Sequence, residues 1–106
     1  GVFDFPDLDL AGIRDLADRG RSLAAAIVLV LFGREQGRVP WVIVVKGVGG
    51  GRNCDARDLG KLTSRHLGGG GGGKADLAQG QGQQADSLPA ARRDLESALN
   101  MALGSS

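Results

Sequence analysis

Residues 26–45 read AIVLVLFGREQGRVPWVIVV. Within them, Ala26–Phe32 and Trp41–Val45 are unbroken apolar runs rich in β-branched side chains. Runs of this kind are typical of strands that are covered on both faces or lie in the centre of a sheet. The residues between them include two glycines, at positions 33 and 37, and suit a hairpin connection. We therefore expect an antiparallel pair of strands, with Trp41 at least half buried near the hairpin.

The residues before this hairpin indicate one short strand and one helix. Val2–Phe5 is predicted to be an edge strand that stops at Pro6. Asp9 is a suitable N-cap residue, and Gly20 lies where the helix could end. Between them, apolar side chains recur at helical spacing at Leu10, Ile13, Leu16 and Ala17.

Two further helices are indicated after the hairpin. Asn53 or Asp55 can cap a helix from Ala56 to about Leu67, and Ser87 and Pro89 can open a last one. The apolar stripe of the first is expected to contain Leu59, Leu62, His66 and Leu67, with Arg57, Lys61 and Arg65 mostly off it. The stripe of the second consists of Leu88, Ala91, Leu95, Ala98, Leu99 and Ala102.

Six consecutive glycines occupy positions 68–73 and run directly into Lys74. Each glycine loses much conformational entropy on folding, and six exceed what a simple turn requires. We therefore expect a functional loop that approaches a ligand closely, with a flexible linker as the alternative. A second glycine-rich loop is predicted at Gly47–Gly51, and a short strand at Leu77–Gln81.

Together these elements predict an α+β (α/β-like) fold in the order β-α-β-β-α-glycine loop-β-α. The architecture is a small mixed β-sheet with a central antiparallel hairpin, packed by about three helices. A chain of 106 residues suits one domain, which we place at residues 1–103, with 104–106 as a tail or a cloning remnant. The first residue is Gly1 rather than Met, which favours a fragment or a processed chain.

Composition narrows the class of protein. No apolar run reaches the length of a membrane span, and no signal peptide is visible. Cys54 is the single cysteine, which excludes an internal disulfide and points to a reducing compartment. Residues 34–74 carry eight Lys or Arg and three Asp or Glu, a net charge of +5 against +1 for the whole chain. Such a basic segment attracts polyanions such as nucleic acids, although a merely solvated basic surface is the alternative.

The motifs with catalytic potential are incomplete. Gly68-x-x-x-x-Gly73-Lys74 matches the phosphate-loop pattern except at its last position, where Ala75 replaces the Ser or Thr that would bind Mg²⁺. One histidine, His66, and one cysteine cannot build a structural zinc site, and no third group completes a catalytic dyad. His66 is expected to be a partly buried helix residue and Cys54 a small residue at a loop edge. We therefore predict no catalytic residues, no metal site and no cofactor.

Residues 67–82 read LGGGGGGKADLAQGQG, and this segment resembles the glycine-rich signature of the C-terminal domain of alanyl-tRNA synthetases. That signature has the form GG-x-GGGRPDMAQ, followed by a glycine-rich pair, and the domain belongs to a group associated with DHH-type phosphoesterases. Lys74, Ala75 and Leu77 replace its Arg, Pro and Met, and Gly80-Gln81 alters its end. The matching residues are Gly68, Gly69, Gly71, Gly72, Gly73, Asp76, Ala78, Gln79 and Gly82.

The resemblance implies a non-catalytic tRNA-binding domain of a cytoplasmic or organellar alanine–tRNA ligase. In that family the domain binds the outer corner of the tRNA and supports aminoacylation and editing. The implied partners are alanine-specific tRNA, the catalytic and editing domains of the parent chain and, in some members, a second copy; no membrane is involved. RNA is gripped largely through phosphate and 2′-OH contacts. The candidate RNA-binding residues are Lys46, Arg65, Gly68, Gly69, Gly70, Gly71, Gly72, Gly73, Lys74 and Gln79.

Two other functions stay open on the sequence. The corresponding domain of a DHH-type phosphoesterase holds nucleic-acid substrate beside a metal site on another domain. Its motif usually places a His and an Asn or Ala-Ala-Gly after the glycines, and residues 74–79, which read KADLAQ, do not match this. A dimerisation or protein-interaction module could use the apolar stripe of the last helix. The alternative for that stripe is packing on the sheet.

Overall fold

The structure is a computed structural model that describes residues 1–47 and 55–103. Its strands are β1 (Val2–Asp4), β2 (Ile27–Phe32), β3 (Val39–Lys46), β4 (Gly70–Gly73) and β5 (Leu77–Gly82). Its helices are α1 (Leu10–Leu23), α2 (Ala56–Leu67) and α3 (Leu88–Leu103), and a short 3₁₀ turn, Ala85–Ser87, precedes α3. The described residues contain no helix that is long and apolar enough to cross a membrane.

All five strands form one mixed sheet in the order β1-β2-β3-β5-β4. Strand β1 runs parallel to β2, and the other neighbouring pairs are antiparallel. The expected hairpin is confirmed: β2 pairs with β3 from Ile27 to Phe32, one residue short of the predicted run, and Phe32 lies opposite Trp41 next to the connection. Trp41 is 1% exposed, which confirms its expected burial. The expected α+β fold with a mixed sheet and three helices is therefore correct.

The sheet is covered on both faces because β2 and β3 are apolar at every position except Lys46. Along β3, alternate side chains enter two separate cores, since successive residues of a strand point to opposite faces. Trp41 and Ile43 belong to the core under α2 and α3, whereas Val42 and Val44 belong to the core under α1. The result is three layers, with one helix on one face and two on the other.

Helix α1 extends beyond its predicted end. Asp9 caps it as expected by accepting a hydrogen bond from the Gly12 N–H, but Gly20 does not terminate it, and the helix continues to Leu23. A Cβ atom at position 20 would lie 2.7 Å from Cδ1 of Leu29. Gly20 therefore permits close packing of the helix on β2, and the prediction that it ends the helix was wrong for this reason.

The expected glycine loop is instead largely a strand. Gly68 and Gly69 have φ angles of 71° and 74°, in the left-handed region that glycine adopts readily. They redirect the chain after α2, and the next four glycines pair with β5 as β4. The prediction of a loop was wrong because it treated the six glycines alike, whereas only the first two form the turn.

The other helices follow the predictions closely. Helix α2 begins and ends at Ala56 and Leu67, and Asp55 caps it by accepting hydrogen bonds from two backbone N–H groups. Leu88, Ala91, Leu95 and Leu99 of the α3 stripe are buried in the core on this face of the sheet. The predicted loop beyond Gly47, the alternative cap Asn53 and the single cysteine lie outside the described residues.

One cross-strand row determines how β4 attaches to the sheet. Trp41 of β3 lies opposite Gly80 of β5, which in turn lies opposite Gly71 of β4. Cβ atoms built on Gly80 and Gly71 would lie 2.5 Å and 2.6 Å from Cζ2 of Trp41. From the helix side, a Cβ atom on Gly60 would lie 3.0 Å from Cη2 of the same ring. The indole therefore occupies space that three glycines leave open.

The two faces of β4 should respond differently to an added methyl group. Gly71→Ala should lower the free energy of unfolding by about 1–3 kcal/mol, because its Cβ overpacks the indole. Gly72→Ala should leave the stability unchanged or raise it by about 0.4–1 kcal/mol, because a Cβ there meets no atom within 4 Å and the unfolded chain loses entropy. Urea denaturation of both variants measures the difference. Equal stability of the two would contradict the packing described for Trp41.

Candidate nucleic-acid interface

Strand β4 forms one edge of the sheet, and we call its four glycines, Gly70–Gly73, the glycine rib. All four are exposed and carry no side chain. The Lys74 N–H donates to the Leu77 carbonyl at 2.8 Å, so this pair belongs to the hydrogen-bonded set of the β4–β5 ladder. Because such pairs alternate, Gly70 and Gly72 bond to β5, and the N–H and C=O groups of Gly71 and Gly73 point away from the sheet.

A cleft of about 400 Å³ lies between the glycine rib and α2, and we call it the α2 cleft. Trp41 forms part of its floor, and the buried Nε1–H of this indole has no hydrogen-bond partner among the described residues. Helix α2 contributes Arg57, Lys61 and Ser64 to its wall. These positions are spaced by four and three residues, which places them on one side of the helix. The cleft thus combines an apolar floor with two cations and a hydroxyl.

A second cleft of about 410 Å³ lies on the opposite face of the glycine rib, and we call it the α1 cleft. Arg14, Arg21 and Lys74 contribute its cations, and Asp76 is its carboxylate. Asp76 accepts from Arg21 at 3.3 Å, but this ion pair is largely solvated, so it contributes little to stability. Gly72 and Gly73 line both clefts. The glycine rib is therefore a side-chain-free wall with cations on each side.

The predicted site residues are divided by the structure into two groups. The glycines from Gly68 to Gly73 and the exposed Lys74 lie together along the turn and the glycine rib. Lys46 instead donates to the Arg21 carbonyl at 2.5 Å, and Gln79 accepts from the Arg14 guanidinium. Both side chains join α1 to the sheet.

Arg65 is exposed on α2 but does not line the α2 cleft. Sequence reasoning missed Arg57 and Lys61 because it grouped them with Arg65 as outward cations of the helix. A signal was present, since these two residues and Ser64 follow helical spacing in the helix that leads into the glycines. Arg14 and Arg21 gave no such signal, because only the tertiary fold brings α1 to this edge.

The histidine has a structural contact. His66 Nε2 lies 2.6 Å from a carboxylate oxygen of Asp94, and this contact joins α2 to α3. Within residues 1–47 and 55–103, no group of three His, Cys, Asp or Glu side chains is arranged to hold a metal ion. Among the same residues, Lys61 and Lys74 form no ion pair with a carboxylate, so their charge is directed at solvent.

Fold and site together define a small three-layer α+β domain whose sheet ends in a bare glycine strand between two basic clefts. A model of the DHHA1 domain family matches residues 3–101. The chain belongs to the DHHA1 domain family.

A solved structure shows which member of this family the chain resembles. The C-Ala domain of Aquifex aeolicus alanyl-tRNA synthetase superposes with a TM-score of 0.76 and 32% sequence identity, covering 93% of this chain and 86% of that domain. The resemblance to the C-terminal domain of alanyl-tRNA synthetases is thereby confirmed. The match is to one domain of that ligase, the C-Ala domain.

Curated relatives point to the same family of ligases. Alanine–tRNA ligase of Lacticaseibacillus paracasei is 29% identical over 94% of this chain, and that of Xanthomonas campestris pv. campestris is 34% identical over 91%. The chain spans 13% and 11% of the length of these two proteins. It therefore corresponds to a small part of each relative.

The floor of the α2 cleft can be followed optically, because Trp41 is the only tryptophan of the chain. Its 1% exposure should give blue-shifted emission and weak quenching by acrylamide. Gly71→Ala should increase the quenching, since an added methyl group displaces the ring. Lys61→Ala, which alters the wall and not the packing of the ring, serves as the control. Strong quenching in the unmodified protein would contradict the position of the indole.

Proposed function

We propose that this chain is a tRNA-binding module of an alanyl-tRNA synthetase and that it binds through the glycine rib and the two clefts beside it. The observation that carries the proposal is a strand of four exposed glycines flanked by cations on both faces. Membership of the DHHA1 family and the likeness to a C-Ala domain support it.

The chemistry of the edge suits a phosphodiester backbone. The N–H groups of Gly71 and Gly73 point outward without a side chain to shield them, and such groups donate to phosphate oxygens. Lys61 and Lys74 add charge on opposite faces of the glycine rib. Phosphate contacts of this kind fix position and supply affinity without reading base sequence.

The remaining predicted site residues have secondary roles in this proposal. Arg65, exposed on α2, adds a peripheral phosphate contact outside the cleft. Lys46 and Gln79 act by holding α1, and with it Arg14 and Arg21, against the sheet.

The partners follow from the same proposal. The tRNA is that for alanine, bound at its outer corner, and the catalytic and editing domains belong to the remainder of the parent chain. The module would work where that tRNA is charged, in the cytoplasm or an organelle. A homodimer would have to use a surface other than the α3 stripe, since Leu95 is fully buried and Leu99 is 8% exposed.

A salt titration of tRNA binding tests the proposal. Lys74→Ala should weaken binding to different folded tRNAs by a similar factor and lower the slope of log affinity against log salt by about 1, the loss expected for one neutralised phosphate. Fluorescence anisotropy of labelled tRNA at several salt concentrations provides both quantities. An affinity and a slope unchanged by Lys74→Ala would place the contact elsewhere.

Arg19→Ala is the matched control. It removes the same charge from a side chain that is 73% exposed, pairs with Asp15 and lines neither cleft. Its binding and its slope should equal those of the unmodified chain. Arg92 is a poorer control, because its Nε is buried and its removal would disturb packing.

A further inference from the structure

The two basic clefts are separated only by the glycine rib. Arg57 and Lys61 stand on its α2 side, and Arg14, Arg21 and Lys74 stand on its α1 side. A single polyanionic strand lying against one face would contact only one of these sets. The arrangement therefore suits a ligand that offers phosphates to both sides at once.

The glycine rib is thin because none of its four residues carries a side chain. Neighbouring strands of a sheet are spaced by about 4.8 Å, and without side chains a strand adds little beyond its backbone. Cβ atoms on Gly70 and Gly72 would meet no atom within 4 Å, so the packing of this domain does not require glycine at these two positions. Because both residues are glycine, no side chain of the rib extends into the space on its α1 side.

The outer edge of the glycine rib offers paired donors and acceptors. The N–H and C=O groups of Gly71 and Gly73 point away from β5, as the ladder register requires. A ribose 2′-OH both donates and accepts hydrogen bonds, so it can pair with either group. The minor groove of A-form RNA is wide and shallow and displays these hydroxyls between two phosphate strands.

We infer that the chain binds double-stranded RNA edge-on, with the glycine rib in the minor groove and the cations of the α1 and α2 clefts on the phosphates of the two opposite strands. This inference rests on the proposed function and places the contact on a base-paired segment at the outer corner of the tRNA. Stacking of unpaired bases is not offered beside the rib, since the nearest aromatic ring there, Trp41, is 1% exposed.

The first test separates one-sided from two-sided contact. The probe is a short blunt-ended RNA duplex, compared with one of its single strands and with a DNA duplex of the same sequence. Lys61→Ala and Lys74→Ala should each lower the salt slope for the RNA duplex by about 1, and the double variant by about 2. The single strand and the DNA duplex should bind more weakly than the RNA duplex at every salt concentration.

The second test thickens the glycine rib without disturbing the core. Gly72→Val places a β-branched side chain where a Cβ has open space, so thermal stability should be retained. Its affinity for the RNA duplex should fall by roughly tenfold or more, because the added side chain lies between the rib and the phosphate strand on its α1 side. Arg19→Ala, with unchanged binding, again serves as the charge control.

The outcomes distinguish this inference from the proposed function. If tRNA binds but only one of the two lysines alters the slope, or if Gly72→Val binds the duplex as the unmodified chain does, contact is one-sided and the edge-on inference is wrong. Equal binding of the single strand or of DNA would also overturn it. If neither tRNA nor the duplex binds, the proposed function itself fails.

Discussion

The position of the Trp41 ring is the constraint on which the rest of this edge depends. The indole extends from β3 across Gly80 towards Gly71 and is closed from above by Gly60 of α2. A side chain at any of these three positions would compete with the ring for the same space. The ring therefore requires glycine in two neighbouring strands along one row, and it forms part of the floor of the α2 cleft.

This packing explains the glycines of one face of β4, but not those of the other. A Cβ atom added to Gly71 or Gly73 would clash with Trp41, Ala78 or the backbone of β5. A Cβ atom added to Gly70 or Gly72 would meet no atom within 4 Å. Glycine in a strand interior weakens the strand, and it often marks a bulge, a tight bend or the close approach of a ligand or another backbone. The packing of the domain thus accounts for half of the glycine rib, and the proposed contact with RNA accounts for the other half. An exposed edge also invites pairing with another sheet, and the nearby cations oppose this between like copies.

Most of the fold could be predicted from sequence because apolar periodicity reports burial directly. The β2–β3 hairpin and the bounds of α2 follow from unbroken or helically spaced apolar residues with suitable caps. Strand β4 could not be predicted, because four glycines have neither β propensity nor an alternating pattern. Their position as a strand depends on pairing with β5 and on packing beside Trp41. The clefts were hidden for a related reason: Arg14 and Lys61 are far apart in sequence and come to opposite sides of the rib only when α1 and α2 pack on opposite faces.

The most direct measurement is residue-resolved amide hydrogen exchange along the glycine rib, by NMR, with and without tRNA. In the free protein, the amides of Gly70 and Gly72 should be protected by β5, and those of Gly71 and Gly73 should exchange rapidly at the open edge. On addition of tRNA, the exchange of Gly71 and Gly73 should slow markedly, because their N–H groups become donors to RNA. Unchanged exchange at these two amides under conditions where tRNA is bound would show that the glycine rib is not the contact and would contradict the account.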